Sequence, residues 1–153
     1  MIKHNTLLTE QEFRQALKAC SLKATPQRLA VHAAMLALEH AAADSVAAWI
    51  AEHGTASVTV ASVYNILSRL AKAGIYRSRM SADAKMYFDA NPSKHIHFYD
   101  SVNHTFRNLY DEELYALVEE RLKRRRLKGY KIDGIDLQIV CHPTRRKAAA
   151  GRD

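Results

Sequence analysis

The chain has 153 residues, 48% of them hydrophobic, enough to bury a core as one domain or as two small ones. Its formal net charge of +7 points to a polyanionic partner, although charge by itself says nothing of fold. No apolar run reaches the length of a membrane span, and residues 1–12 are too polar for a signal peptide. The two distant cysteines, Cys20 and Cys141, form neither a metal-ligand pair nor a disulfide framework, so the expected compartment is a reducing cytoplasm.

Thr9 with Glu12 forms a capping-box pattern that opens a first helix, with Phe13, Ala16, Leu17 and Cys20 on one side. Thr25 followed by Pro26 marks a second helix start, because the N–H that proline lacks has no partner in a first turn. This helix runs to about Glu39, with Leu29, Ala33, Met35 and Leu36 inward. A third, shorter helix begins near Asp44 or Ser45 and carries Val46, Trp49 and Ile50 before Gly54. In the fourth, Thr59 is the N-cap, Gly74 the stop, and Val60, Val63, Leu67 and Leu70 the buried stripe. Its other face carries Ser62, Tyr64, Asn65, Ser68 and Arg69, and the helix contains no carboxylate. Hydroxyls, an amide, a phenol and an arginine suit base edges and phosphates around a major groove. Periodicity alone fits an ordinary amphipathic helix equally well.

After this helix the period turns from helical to extended. Residues 75–80 and 85–89 alternate and are joined by 81–84, the pattern of a hairpin. A helix–turn–helix followed by a two-stranded hairpin with Arg77 and Arg79 on one face is a winged helix in outline, its wing set to meet the phosphate backbone. Residues 90–94, Ala-Asn-Pro-Ser-Lys, are a turn cluster and the expected linker. Next, His95, His97 and Tyr99 alternate with Ile96 and Phe98, and 105–109 is the hairpin partner across a turn at 101–104. Asp111 caps a helix with Glu112 and Glu113 in its first turn and Leu114, Leu117, Val118 and Leu122 as its stripe. It ends in the basic run Arg121–Lys128, which reads either as solvated cations at a helix C-terminus or as a supplementary DNA or partner surface. Residues 130–140 read as a strand with a bulge at Asp133-Gly134, where the alternation slips. The expected class is α+β: an N-terminal winged helix-turn-helix DNA-binding domain over 1–89, the linker 90–94, a small C-terminal α/β dimerisation domain over 95–142, and a basic, disordered tail over 143–153. A hairpin, one helix and one strand are too little to be stable alone, hence the expectation of a twin.

The order of LKATPQR (Leu22–Arg28), TVASVYNILSRLAKAGI (Thr59–Ile75), a wing ending Tyr87-Phe88-Asp89, and HIHF (His95–Phe98) resembles the ferric uptake regulator superfamily of bacterial metal-responsive repressors. The stretch YFDANPSKHIHF resembles its iron response regulator branch. The resemblance covers about Thr9 to Val140, and the recognition-helix segment is its most specific part. It implies a homodimer that binds AT-rich palindromic double-stranded DNA and represses iron, metal-homeostasis or stress genes. Carried over position by position, Tyr64 contacts thymine, Asn65 takes a neighbouring base- or phosphate-contacting place, Lys23 enters the minor groove and Arg28 anchors a phosphate. Ser62, Arg69 and Arg77 complete the expected DNA-contact set. Each has a blander reading too: Tyr64 packed on the wing, Lys23 and Arg28 as solvated charges.

The same resemblance sets expectations for metals through its departures. Most ferric uptake regulators carry two CxxC motifs for a structural zinc. Here residues 100–103 hold no cysteine and Cys141 stands alone, so no Cys-ligated zinc is expected. A further family site falls on Lys94, Ile96, Tyr115 and Ile135, none a good ligand. The regulatory site corresponds to Asp89, His95 and His97, with Asn108 where a Glu is usual and Ala43 where a His is usual. His40, three residues upstream of Ala43, is the substitute if the loop is arranged differently. Two imidazoles and a carboxylate suit Fe(II), Mn(II) or Zn(II). An ion there would fix the angle between the domains and thereby the spacing of two recognition helices. The branch is also linked to haem, for which His95-Ile96-His97 is an HxH-type element. Two histidines on a half-exposed strand also commonly bind nothing. Three functions therefore compete: a metal- or haem-responsive dimeric regulator, a metal-independent DNA-binding protein of the same fold, and a small metallohydrolase using Asp89, His95 and His97. The last lacks a nucleophile–base pair, a glycine-rich phosphate loop and a second carboxylate near the histidines, so no enzyme is expected.

Overall fold

Thr9 opens the first helix, α1 (Glu10–Ala19), with both halves of the capping box: its hydroxyl accepts from the Glu12 N–H at 3.2 Å and Glu12 Oε2 accepts from the Thr9 N–H at 2.8 Å. The structure, a computed structural model, describes residues 7–54 and 56–145, and the tail expected over 143–153 lies outside the described residues from 146 onward. The chain divides into two compact units at the Lys94–His95 junction.

In the first unit, α1 buries Phe13 and Leu17, while Cys20, expected on the same side, is the exposed C-cap. The second helix, α2 (Pro26–Leu38), starts after Thr25, whose hydroxyl accepts from the Arg28 N–H. Its buried residues are Ala30, Val31, His32, Ala34 and Met35, whereas the expected Leu29, Ala33 and Leu36 are only half-buried. This helix is apolar almost all round, so the sequence leaves its phase open. Next, α3 (Ala43–His53) buries Val46 and Ile50 and ends on Gly54, whose φ of 63° is the left-handed conformation that favours glycine. The fourth helix, α4 (Val60–Lys72), begins at a second capping box formed by Thr59 and Ser62. Val63, Leu67 and Leu70 are buried as expected, but Val60 is 51% exposed. At the first helical position its side chain tilts back past the helix start, beyond the packed stripe.

Ile75 and Tyr76 lead from α4 into the wing as buried core residues, not as strand. The wing is β2 (Arg77–Met80) and β3 (Met86–Asp89), paired antiparallel, with β1 (His40–Ala41) on the other side of β3. The order β1-β3-β2 places His40 opposite Asp89 from one side and Arg77 opposite it from the other. The sequence concealed β1, since two residues show no periodicity. The four helices α1, α2, α3 and α4 and the wing close over one core that includes Leu17, Val31, Met35, Ile50, Leu67 and Phe88. Each such side chain contributes roughly 1.5–3 kcal/mol by leaving water. The first unit is thus a winged helix, with α3 and α4 as its helix–turn–helix.

The second unit has a three-stranded sheet of β4 (Ile96–Asp100), β5 (Thr105–Leu109) and β6 (Gln138–Cys141) in the order β5-β4-β6. The β4–β5 hairpin is antiparallel as expected, turning at 101–104. Asp100 holds that turn: Oδ1 accepts from the Val102 and Asn103 N–H groups and Oδ2 from Asn103 Nδ2, at 2.8–3.0 Å. Asp111 caps α5 (Glu112–Lys123), accepting from the Leu114 N–H at 2.9 Å. The expected stripe on α5 is only half-buried, and Leu117 is 55% exposed. The strand expected over 130–140 shrinks to β6, which runs parallel to β4. Asp133, Gly134 and Asp136 are poor strand formers, and they keep 130–137 irregular. Among the described residues no helix is long and apolar enough to cross a membrane.

Candidate functional site

The outward face of α4 presents Tyr64, Asn65 and Arg69 to solvent. Tyr64 is 45% exposed, and its ring meets Phe88 of β3 edge-on with centroids 6.0 Å apart, so the wing braces the phenol while leaving much of it free. The Ser62 hydroxyl is committed to the cap, accepting from the Thr59 N–H at 3.0 Å and donating to the Thr59 carbonyl at 2.9 Å. Between the starts of α2 and α4 lies a cleft of about 710 Å³ whose walls include Lys23, Thr25, Arg28, Thr59, Ser62 and Asn65, and no carboxylate lines it. Both helix N-caps lie in these walls, adding the partial positive charge of unpaired N–H groups. Arg28 Nη1 donates to the Lys23 carbonyl at 2.7 Å, tying the two cations to one turn. Four of the seven residues expected to contact DNA thus share one cleft, while Tyr64, Arg69 and Arg77 are exposed outside its walls.

The wing departs from expectation at one arginine. Arg77 and Arg79 do share a face, but Arg79 is 6% exposed and its Nη2 lies 3.5 Å from Asp89 Oδ2. It therefore does not join Arg77 on the surface. Cross-strand register explains this: Arg77 faces Asp89 and Arg79 faces Tyr87, so Asp89 is a same-face diagonal neighbour of Arg79. The end of the hairpin is pinned to α3 by Lys85 Nζ, which donates to Asp44 Oδ2 at 3.0 Å. That bond holds the Asp44 carboxyl below its usual range and the Lys85 amine above it. Both groups are half exposed, so the pair contributes at most about 1 kcal/mol.

The expected ligands fall in both units, each with its own local geometry. In the first, β1 and β3 bring His40 Nδ1 to 3.5 Å from Asp89 Oδ2, both side chains buried, and Asp89 Oδ1 accepts from the Asn91 N–H at 2.8 Å. In the second, His95 and His97 are both buried, with ring centroids 4.2 Å apart. His95 lies 5.6 Å from the Tyr110 ring and His97 meets Phe106 edge-on at 6.0 Å. Sequence reasoning missed Arg79 as the partner of Asp89. The signal was available in the hairpin register, had β2 and β3 been paired residue by residue. It also missed His32, buried in α2 with Nδ1 2.6 Å from Tyr76 Oη and Nε2 2.8 Å from the Leu8 carbonyl.

Known proteins place this architecture. The fold is similar to that of the Vibrio cholerae ferric uptake regulator, at a TM-score of 0.71 and 19% identity over 86% of this chain and 99% of that one. It is similar also to the Pseudomonas aeruginosa ferric uptake regulator solved with manganese, at a TM-score of 0.68 and 20% identity over 90% and 100% of the two chains. The Campylobacter jejuni peroxide stress regulator matches at a TM-score of 0.62 and 21% identity, over 90% of this chain and 97% of that one. At such identities the likeness bears on the fold alone. No curated protein sequence matches the chain. A sequence model described as the Ferric uptake regulator family matches residues 19–140, well over half of the chain. The chain belongs to the ferric uptake regulator family, whose members are transcriptional regulators and not enzymes.

Proposed function

We propose that the chain is a homodimeric repressor that binds AT-rich palindromic DNA and responds to a divalent metal ion, in the iron response regulator branch of its family. The observation that carries the DNA reading is an acid-free outer face of α4 that shares Ser62 and Asn65 with a cleft holding Lys23 and Arg28. Tyr64 and Asn65 read base edges in the major groove, while Arg28, Arg69 and Arg77 hold phosphates and Lys23 reaches the minor groove. The exposed apolar residues of the second unit, among them Leu117, Tyr130 and Val140, supply the dimer contact. The protein acts in the cytoplasm.

Three imidazoles and a carboxylate fit an ion of the Fe(II), Mn(II) or Zn(II) class, and all four side chains are buried in their own units. His40 and Asp89 of the first unit and His95 and His97 of the second would hold it together. When bound, the ion supplies a tie between the two units. That a regulator of similar fold is described with manganese supports the metal reading. A second reading, a regulator whose affinity needs no metal, is favoured by Arg79, which already balances the Asp89 charge. Equilibrium dialysis against Mn(II), Fe(II) and Zn(II) tests the choice. One ion per chain, lost in both Asp89→Asn and His97→Ala, supports the shared site. No uptake by the wild type, or uptake that survives both substitutions, leaves the metal-independent regulator.

A further inference from the structure

At one end of the sheet in the second unit, where β4, β5 and the segment after β6 meet, lies a cavity of about 430 Å³. It plays no part in the DNA face or the ligand pairs described above. Thr105 and Arg107 line it from β5, and His142, Thr144 and Arg145 line it from the segment after β6. Among the described residues, the side chains of these five make no hydrogen bond and no ion pair. The sequence continues with two more cations, Arg146 and Lys147. One carboxylate, Asp100, also lines the cavity, but its oxygens accept the three N–H groups of its own turn. Those bonds, with the Arg107 charge nearby, hold the Asp100 carboxyl below its usual range. The cavity is therefore lined by solvent-exposed donors, two of them guanidinium forks, beside a wall acid already occupied.

We propose that this cavity binds a small phosphate-bearing ligand. A carboxylate offers two oxygens and one charge, which a single arginine fork saturates. A phosphate monoester carries up to two charges and three free oxygens, enough to engage both Arg107 and Arg145 while the Thr105 and Thr144 hydroxyls and the His142 imidazole take the remaining lone pairs. The volume lies within the range of small-molecule sites and exceeds what bare phosphate needs, leaving room for the group that phosphate is attached to. The second unit of a DNA-binding regulator thereby gains a place where a phosphorylated metabolite could bias dimer or DNA affinity.

The test uses the full chain with inorganic phosphate and pyrophosphate as probes, read by isothermal titration calorimetry at constant ionic strength. Saturable binding is expected in the wild type. Arg107→Ala with Arg145→Ala should weaken it at least tenfold, whereas Arg124→Ala with Arg125→Ala, which removes equal charge elsewhere in the same unit, should leave it unchanged. Both pairs are exposed, so equal thermal melting is expected and verified for each. No saturable binding in the wild type, or equal losses in the two double variants, overturns the proposal. A second arm separates a free ligand from a DNA backbone. The salt dependence of duplex binding should be the same for the wild type and for the Arg107→Ala, Arg145→Ala protein. A log–log salt slope shallower by about two in that variant would assign the two arginines to DNA phosphates and overturn the small-ligand site.

Discussion

Replacing His32 by alanine removes three contacts at once from the core of the first unit. The Leu8 carbonyl only accepts, so His32 Nε2 carries the proton and donates to it at 2.8 Å, which leaves Nδ1 to accept from Tyr76 Oη at 2.6 Å. The ring also stacks on Phe13, with centroids 4.0 Å apart and planes 4° from parallel. Alanine strands the Tyr76 hydroxyl and the Leu8 carbonyl, at roughly 1–3 kcal/mol for each group that stays dry. It also opens a void where the ring packed, and the combined loss comes to about 3–5 kcal/mol, a large share of a typical domain's stability. The pH dependence carries a definite sign. Burial pushes the His32 pKa below its ordinary 6.5, so the folded protein holds the ring neutral while the unfolded chain protonates it more readily. Stability from this group is therefore complete above about pH 6.5 and falls as the pH drops below it, by at most about 1.4 kcal/mol per pH unit for one proton. Burial likewise pushes the Tyr76 phenol up, so it stays protonated throughout. Urea unfolding followed through Trp49, the sole tryptophan and a residue of α3, reports on this unit directly. At pH 8 the His32→Ala protein should be less stable by the amount above, and the gap should narrow between pH 7 and pH 5. A gap under about 1 kcal/mol at pH 8, or one constant with pH, would refute this account of the core.

Three further outcomes are expected. Tyr64→Ala should weaken specific DNA binding by about 1–3 kcal/mol and non-specific binding far less; equal losses on operator and scrambled duplexes would count against base reading by this residue. Thr59→Ala should lower the unfolding free energy by about 1 kcal/mol in urea titration, because it removes the hydroxyl that accepts from the Ser62 N–H while leaving the backbone arm of the α4 capping box in place, and an unchanged midpoint would mean that this cap does not stabilise the helix. Combining His95→Ala with His97→Ala empties the space of two buried rings and should lower stability, while in the fraction verified as folded and dimeric any response to metal or haem should be abolished. A response that persists would remove this pair from the regulatory site.

Much of the first unit was legible because its helices announce their own ends. The Thr9 and Thr25 caps, the α4 stripe and the hairpin after it are local signals, and each is realised in the structure apart from Val60 at the head of the stripe and Ile75 and Tyr76 before the first hairpin strand. What was hidden depends on tertiary partners. The phase of α2 is set by what packs against an all-round apolar helix, and β1 exists only because β3 offers it an edge. Arg79 read as a surface cation because charge alone does not reveal a buried carboxylate two rungs away on the neighbouring strand. In the second unit the hairpin and the Asp111 cap were legible, but the strand over 130–140 was overextended, since hydrophobic alternation continues through a segment whose Asp and Gly residues resist pairing. The candidate ligand residues were reached through family resemblance, and the pairing of β1 with β3 sets His40 directly across from Asp89.

The central claim is sequence-specific DNA binding under metal control. The most direct measurement is fluorescence anisotropy of the purified protein on an AT-rich palindromic duplex and on a scrambled one, first with chelator, then with Mn(II), Fe(II), Zn(II) and haem in turn. The account predicts preference for the palindrome, a strong dependence on salt, and a change in that preference with one divalent ion. Equal affinity for both duplexes under every condition would contradict it.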